Sequence, residues 1–333
     1  MKPLIECVPN FSEGKDEKVL NAIADAISSI KRTSLLNIDK GTAANRTVFT
    51  FAGDPESVLE SAFQAIKVAS ELIDMRKHIG EHPRMGATDV CPFVPIQGID
   101  ESYLLNLVEE FAERVGTELK IPVYLYEKSA NTESRKNLAN IRSGEYEGFK
   151  TKITEPKWVP DYGPTQFNEK TGATAIGVRK FLIAYNVNLH TDYVEIADRI
   201  AKKIRTSGQL IVDGQGTKKR IPGKFEHLKA IGWYIDDFKC AQVSMNFTDF
   251  EVTPIHSVFE EIKALAEKEG VEVNGSELVG LITKKALLEA GKYYLNKQVR
   301  NEDEVIGEAV EKLGLNSVKA FRIEKQVVES LLR

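Results

Sequence analysis

No stretch of the 333-residue chain approaches the ~20 consecutive apolar residues of a membrane span. The first residues, Met1-Lys2-Pro3-Leu4, carry no apolar signal core. Cysteine is scarce. Cys7, Cys91 and Cys240 are odd in number and far apart, which argues against a disulfide framework or a cysteine metal site and for a cytoplasmic setting. Positive charge is not in surplus: 45 Lys and Arg face 49 Asp and Glu, a formal net charge of −4. A nucleic-acid partner held by bulk electrostatics is therefore not expected, although local basic pockets for a small anion remain open. Neither G-x-x-x-x-G-K-[ST] nor G-x-G-x-x-G occurs, so no nucleotide motif applies. No G-x-S-x-G nucleophile elbow is present. No strand is spelled like K/R-G-F-G-F-V-x-F, which an RNA-binding module would want.

What remains is an ordinary soluble composition, 42% hydrophobic and 28% charged, at a length that suggests two domains. Leu4 to Val8 reads as a strand cut by Pro9, and Asn10 to Gly14 as a turn. A helix follows from Glu17 to Ile30, with Val19, Leu20, Ile23, Ala24 and Ile27 on one face. Ser34 to Ile38 and Arg46 to Phe51 read as strands. Pro55 suits the first turn of a helix running to about Met75, and Asp89 to Ile96 reads as a buried strand. The order is β-α-β-β-α-β, the ferredoxin-like arrangement. Helix from Ser102, strand at Val123 to Tyr126 and short helix from Ser129 follow. Gly144 to Gly172 reads as a long loop, of the kind that is functional or a linker. From Phe181 the order restarts: strand to Asn188, helix Tyr193 to Thr206, a Gly/Lys loop from Asp213 to Lys224, strands Leu228 to Ile235 and Ala241 to Phe247, helix Thr253 to Glu269 and a last strand within Val271 to Leu281. The expected fold is thus α/β of the α+β kind. Two ferredoxin-like subdomains, residues 1–178 and 179–333, would have facing sheets that form a cleft, with strand-end loops lining it.

The segment from Arg76 to Pro95 concentrates chemistry. It holds two of the five histidines, with cations, acids, glycines and prolines too polar for core. His78-Ile79-Gly80-Glu81-His82 spells the H-x-x-E-H of inverted zinc peptidases. That chemistry needs both rings on one helix face, and Gly80 with Pro83 breaks the helix. A zinc hydrolase at His78 and His82 stays as an alternative, but no metal is expected. The other reading is a catalytic histidine, because imidazole both takes and gives a proton near neutral pH. His82, fixed between Glu81 and Pro83, is the stronger candidate, and His78 reads equally as lining a solvated loop. Gln242, Ser244 and Asn246 alternate on one strand face; a polar strand face is most often the wet side of a sheet, and three neutral polar groups in register suit a lined cleft. Asp161 to Lys180 is a second candidate, whose Gly163, Gly172 and Gly177 would let backbone approach a ligand. It reads equally as an interdomain linker.

Several stretches together resemble the glutamate formimidoyltransferase family, the transferase half of formimidoyltransferase-cyclodeaminase. They are Glu6 to Gly14, Gly80 to Ala87 with Asp89 to Phe93, Asp161 to Pro164, Gly172 to Thr174, Arg179 to Ala184 with Asn186 and Asn188, and Gln242 to Asn246. The resemblance implies transfer of a formimidoyl group from N-formimidoyl-L-glutamate to N5 of tetrahydrofolate in histidine breakdown. The acceptor tetrahydrofolate would be a substrate, and the protein a homodimer. No residues remain for a helical cyclodeaminase domain, so no deaminase activity is expected. The family's catalytic histidine falls on His82. Its folate segment falls on Gly163, Pro164, Thr165, Gln166, Phe167, Asn168, Glu169, Lys170, Thr171 and Gly172. With that reaction in view, Asp39 or Glu81 would hold the imidazole or meet the cationic amidine. Arg46 and Arg84 would clamp substrate carboxylates by bidentate forks. Asn10, Gln242, Ser244 and Asn246 would bind the pterin edge or the glutamate. Formyl transfer between N-formylglutamate and tetrahydrofolate on the same scaffold remains an alternative.

Overall fold

The computed structural model describes residues 2–42, 44–80, 82–212, 218–235, 238–295, 301–317 and 320–331. The chain divides into two units, Met1–Lys180 and Phe181–Arg333. The strands of the first are β1 (Leu4–Cys7), β2 (Asn10–Phe11), β3 (Thr33–Gly41), β4 (Arg46–Gly53), β5 (Thr88–Gln97), β6 (Val123–Leu125) and β7 (Thr174–Val178). Its helices are α1 (Glu17–Ser28), α2 (Pro55–Leu72), α3 (Glu101–Glu118), α4 (Glu133–Lys136), α5 (Leu138–Arg142) and α6 (Glu145–Lys152). The three long helices start where an aspartate caps free backbone N–H groups: Asp16, Asp54 and Asp100. Such caps satisfy donors that a first turn otherwise leaves exposed.

β3, β4, β1 and β5 lie side by side and antiparallel, which is the ferredoxin-like order expected from the sequence. β7 and β6 extend this sheet in parallel beyond β5. Successive side chains of a strand point to opposite faces, and the sheet uses both. Cys91, Phe93, Val123, Leu125, Ile176 and Val178 face α1, α2 and α3 in the larger core. Val90, Tyr124, Tyr126, Ala173 and Ala175 face the other way and pack with Phe149 and Trp158. The segment from α4 to β7, of which residues 144–172 read from sequence as a long loop, is therefore a folded cover for this half of the sheet.

Hydrogen bonds to charged groups hold that cover in place. Arg135 donates to the carbonyls of Lys157 and Val159 at 3.0 and 2.6 Å and pairs with Asp161 at 2.7 Å. Asp161 in turn accepts the Leu125 N–H at 2.8 Å. The buried Lys152 ammonium donates to the carbonyls of Asn140, Ile141 and Ser143 at 2.6–2.9 Å and lies 4.0 Å from the Trp158 ring. It thereby satisfies the open carbonyl end of α5. Burial lowers its pKa to about 8.

The glycines of the cover pack against protein. A Cβ on Gly163, Gly172 or Gly177 would meet the carbonyl oxygens of Ile121, Met85 or Tyr126 at 2.1–2.3 Å. On the side where a side chain would project, these glycines are therefore required by close packing against backbone. Gly86 faces the same segment, where an added Cβ would sit 2.1 Å from the Ala173 oxygen. Gly86→Ala is expected to destabilise the first unit by about 1–3 kcal/mol through forced separation of two backbones. A thermal melt with no shift would show that the two strands part freely.

The second unit contains β8 (Ile183–Leu189), α7 (Val194–Ile204), β9 (Gln209–Val212), β10 (Lys218–Ile221), β11 (Leu228–Ile235), β12 (Cys240–Phe247), α8 (Ile255–Lys268), β13 (Val273–Val279), α9 (Lys284–Leu295) and α10 (Glu302–Lys312). Its sheet order, β11-β12-β8-β13, is antiparallel throughout and again ferredoxin-like. β9 and β10 pair in a separate ribbon; β10 falls within the Asp213 to Lys224 stretch that the sequence suggested was a loop, and β9 ends just before it. Part of that loop, residues 213–217, lies outside the described residues.

Candidate active site

Three loops of the first unit are tied together near the end of β2, the start of β4 and the short 3-10 turn Met75–Lys77. Asn45, at φ 47°, accepts the Gly14 N–H at 2.9 Å and donates to the Ile79 carbonyl at 3.0 Å. Ser12 donates through its hydroxyl to the Gly86 carbonyl at 2.7 Å. A Cβ on Gly80 would lie 2.2 Å from the Ala44 oxygen, so the histidine loop presses directly on the β3–β4 turn.

The two histidines occupy different chemical states. His78 follows the Met75–Lys77 turn in extended backbone, φ −75° and ψ 128°. The helix that a zinc motif requires is absent here. Its Nδ1 faces Arg84 Nε at 3.1 Å and its Nε2 faces the Asn45 carbonyl at 2.8 Å. A guanidinium only donates and a carbonyl only accepts. Nδ1 must therefore accept, Nε2 must carry the proton, and neither nitrogen has a lone pair left for a metal. Burial keeps this ring below its ordinary pKa.

His82 is half-buried, and its Nδ1 lies 2.7 Å from the Pro83 carbonyl oxygen. By the same reasoning Nδ1 carries the proton and donates. Nε2 then presents a lone pair, with no partner among the described residues. Burial, reinforced by Arg46 and Arg142, depresses the His82 pKa to about 4, against the opposing pull of Pro83 and Asp89. The ring is a neutral base at physiological pH.

Arg46, on β4, donates through Nε to Asn10 Oδ1 at 3.1 Å and through Nη1 to Asp89 Oδ2 at 2.5 Å. Asn10 also donates to the Val8 carbonyl at 2.9 Å. Asp89 is fully buried. It accepts from Arg142 Nη2 at 2.7 Å and Nε at 3.3 Å, and from the Met85 N–H at 3.0 Å. Burial alone would push this carboxyl up; Arg46 and Arg142 outweigh it and hold it below its ordinary value. His82, Arg46 and Asn10 are thus brought into one neighbourhood, with Asp89 and Arg142 as members that sequence reasoning missed.

Arg84, expected as a carboxylate clamp, is held by acidic side chains of the protein itself. Its fork grips Glu147, Nη2 to Oε1 at 2.6 Å and Nη1 to Oε2 at 2.8 Å, with Glu145 at 3.2 Å and His78 on Nε. These bonds fill the guanidinium edge that a substrate carboxylate would need. Asp39 lies exposed on β3, in register with Val48, which in turn pairs with Asn10. It shares that sheet face, but no hydrogen bond joins it to His82; Pro83 holds the imidazole instead. Glu81 lies outside the described residues.

The segment expected to meet folate, residues 163–172, is engaged within the fold at most of its positions. Asn168 Oδ1 accepts the N–H groups of Lys170 and Thr171, both at 3.1 Å. Phe167 packs 5.3 Å from the Tyr146 ring. Lys170 donates to the Glu71 carbonyl at 2.7 Å, and Glu169 pairs with Lys150 at 3.2 Å. Thr171 is buried, with its carbonyl accepting the Ala87 N–H. Thr165 and Gln166 are exposed, and neither side chain has a hydrogen-bond partner among the described residues. Gly163 and Gly172 are set by the close contacts described above, and Pro164 between Gly163 and Thr165 is half-buried.

In the second unit the polar alternation of β12 is realised. Gln242 pairs in register with Asn188 and Trp233, Ser244 with Asn186, and Asn246 with Lys229. The indole N–H of Trp233 donates to Gln242 Oε1 at 2.7 Å, so the Gln242 amide must donate to Asn188 Oδ1, at 2.6 Å. Gln242 is therefore engaged and buried, whereas Ser244 is half-buried and Asn246 exposed.

Comparison with known proteins gives a consistent assignment. Residues 4–179 match the family described as Formiminotransferase domain, N-terminal subdomain, and residues 184–333 match Formiminotransferase domain. The chain is 46% identical to the formimidoyltransferase-cyclodeaminase of Mus musculus over its whole length, spanning 60% of that protein. It is 46% identical to a glutamate formimidoyltransferase of Streptococcus pyogenes serotype M1, covering 89% of this chain and 94% of the relative. With the glutamate formimidoyltransferase of Thermoplasma acidophilum the identity is 41% over 93% of this chain and 98% of the relative. Matched along both its units, the chain belongs to the formiminotransferase domain family.

Proposed function

We propose that the chain is a glutamate formimidoyltransferase, which moves the formimidoyl group of N-formimidoyl-L-glutamate to N5 of tetrahydrofolate and releases L-glutamate. The observation that carries this reading is the open Nε2 of His82, a neutral imidazole whose other nitrogen is pinned to Pro83. It is supported by relatives of matching length that bear this enzyme's name.

The reaction needs one proton moved over a short path. N5 of the folate attacks the amidine carbon, and a tetrahedral centre forms that carries N5, the glutamate nitrogen and the former imine nitrogen, whose C=N bond re-forms as glutamate leaves. His82 Nε2 takes the proton that N5 sheds and delivers it to the glutamate nitrogen as the carbon–nitrogen bond breaks. One imidazole serves both halves, since the acceptor loses the proton that the leaving amine gains. Arg46 supplies positive charge for a substrate carboxylate. Thr165 and Gln166 are the free side chains of the folate segment and take the folate contacts in this reading. Ser244 and Asn246 remain available for polar contacts on the second unit. The enzyme acts in the cytoplasm as a homodimer in histidine breakdown; the three buried free cysteines fit a reducing compartment.

The test supplies tetrahydrofolate with N-formimidoylglutamate or with N-formylglutamate and follows glutamate release. Release from the formimidoyl donor alone is the expected result. Release from the formyl donor alone would move the assignment to formyl transfer, and silence with both would remove the transfer reading.

A further inference from the structure

Asp89 meets two guanidinium groups with a single carboxylate. The cluster therefore holds one unbalanced positive charge in a place where side-chain exposures are 0% for Asp89, 9% for Arg46 and 15% for Arg142. A charge so far removed from water calls for a counter-ion. The bonds to Asp89 and Asn10 use Arg46 Nε and Nη1 and Arg142 Nε and Nη2. Arg46 Nη2 and Arg142 Nη1 are left without a partner among the described residues. Each guanidinium thus keeps one nitrogen for an anion, and Asp89 fixes the direction of both.

We propose that Arg142, set beside Arg46 by Asp89, completes a carboxylate subsite that takes the α-carboxylate of the amino-acid donor. The inference rests on the transfer reaction proposed above and adds which carboxylate is held, and by what. Position decides the choice. Met85, three residues after His82, donates its N–H to Asp89, so the subsite is tied to the histidine loop. In the donor, the nitrogen that leaves and the α-carboxylate share one carbon. The carboxylates of tetrahydrofolate lie at the far end of the molecule from N5. An anion subsite next to the proton-carrying histidine therefore matches the donor's α-carboxylate. Arg142 is itself fixed from behind, because Lys152 ties down the carbonyls of Asn140, Ile141 and Ser143 around it. Asp89 is a positioning residue, and Arg142 a binding residue.

Bound carboxylate also offsets the charge that Arg46 on β4 and Arg142 on α5 direct at His82, while Asp89 on β5 already opposes it. The ring's pKa then moves up from its free-state value, toward the range where it both accepts and returns a proton well.

The experiment compares N-formimidoyl-L-glutamate with N-formimidoyl-4-aminobutyrate, which lacks only the α-carboxylate, on the native chain and on Arg142→Met. The native chain is expected to prefer the glutamate donor by about 100-fold in kcat/KM, as for a buried charge-paired hydrogen bond. In Arg142→Met the preference should shrink to about tenfold or less, with the KM for tetrahydrofolate unchanged. An equal preference in both proteins, or a change confined to the KM for tetrahydrofolate, overturns the subsite. Binding is read separately by calorimetry with L-glutamate and with 4-aminobutyrate. Arg142-dependent binding of L-glutamate alone supports the subsite even if no transfer occurs, so the two readings fail independently. Indifference of the native chain to the α-carboxylate overturns it. Where Arg142→Met melts early, Arg142→Lys, which keeps the charge and loses the fork, should retain part of the preference; full retention would show that no directed fork is involved.

Discussion

His82→Ala is expected to lower kcat by about 10²–10⁴-fold, the range for losing a positioned general acid–base group. The fold should survive, because the ring is half-buried and its one described bond is to the adjacent Pro83. The contrast with His78 sharpens the expectation. Both rings are neutral, but His78 spends both nitrogens on Asn45 and Arg84, so its replacement should act on loop geometry instead of proton transfer. The protonation state can be followed directly. In the free protein the His82 ring resonance, identified by its loss in His82→Ala, should titrate with a midpoint at about pH 4. The sign follows from burial first and the arginines second: each penalises the imidazolium, so the neutral base persists to lower pH than in an isolated histidine. The same shift ties stability to pH. The unfolded chain takes up this proton near pH 6.5 and the native ring only near pH 4, so stability falls as pH drops across that window. A resonance midpoint near 6.5 would place the ring in solvent, away from Arg46 and Arg142, and would remove the electrostatic account of the site.

Much of this was legible in the sequence, and the residues show why. Pro83 after His82 and Gly80 before it announced broken helix, and the structure has extended backbone at His78. Pro55 marked the start of α2, since a fixed first φ is a local signal. Both ferredoxin-like orders could be read from alternating and 3.6-residue patterns. The misses are of another kind. β7 is short, buried on both faces and made of Thr174-Ala175-Ile176-Gly177-Val178, so it lacks alternation. α6 is eight residues long with little amphipathic contrast, and its role is to bring Glu145 and Glu147 to Arg84. β9 and β10 are almost wholly exposed, and period-2 patterning depends on a buried side. Pairings between residues distant in sequence were not legible. Nothing near Arg84 in sequence signals that Glu147 fills its fork, and nothing near Arg142 signals that it joins Arg46 on Asp89. A lone Asp89 ahead of the buried Val90-Cys91-Pro92-Phe93 was the one available clue, because a carboxylate entering a buried strand must find cations.

Asp89→Ala should be the most damaging single change in the first unit, costing about 3–5 kcal/mol, the range for removing one partner of a buried charge group. The carboxylate binds two arginines and the Met85 N–H without any exposure of its own. Its loss leaves two guanidiniums facing each other in low dielectric, an unpaired N–H on the histidine loop, and a small cavity. Thermal melting should show the first unit unfolding well below the native transition, and transfer activity should fall with it, since Arg46 and the loop after His82 lose their common anchor. Charge is expected to dominate over cavity. Arg142→Met added to Asp89→Ala removes one of the two stranded cations, so the double variant should be more stable than Asp89→Ala alone. If volume were the main cost, the second substitution would leave the melt unchanged or lower it further. Acid should imitate the single variant. Arg46 and Arg142 overcome burial and hold the carboxyl below its ordinary value, so its stabilisation is intact at neutral pH and is lost only as pH falls below the usual carboxylate range, through the lowered native pKa. In Asp89→Ala that acid-dependent loss should be absent, because the group that would take the proton in the native cluster is gone.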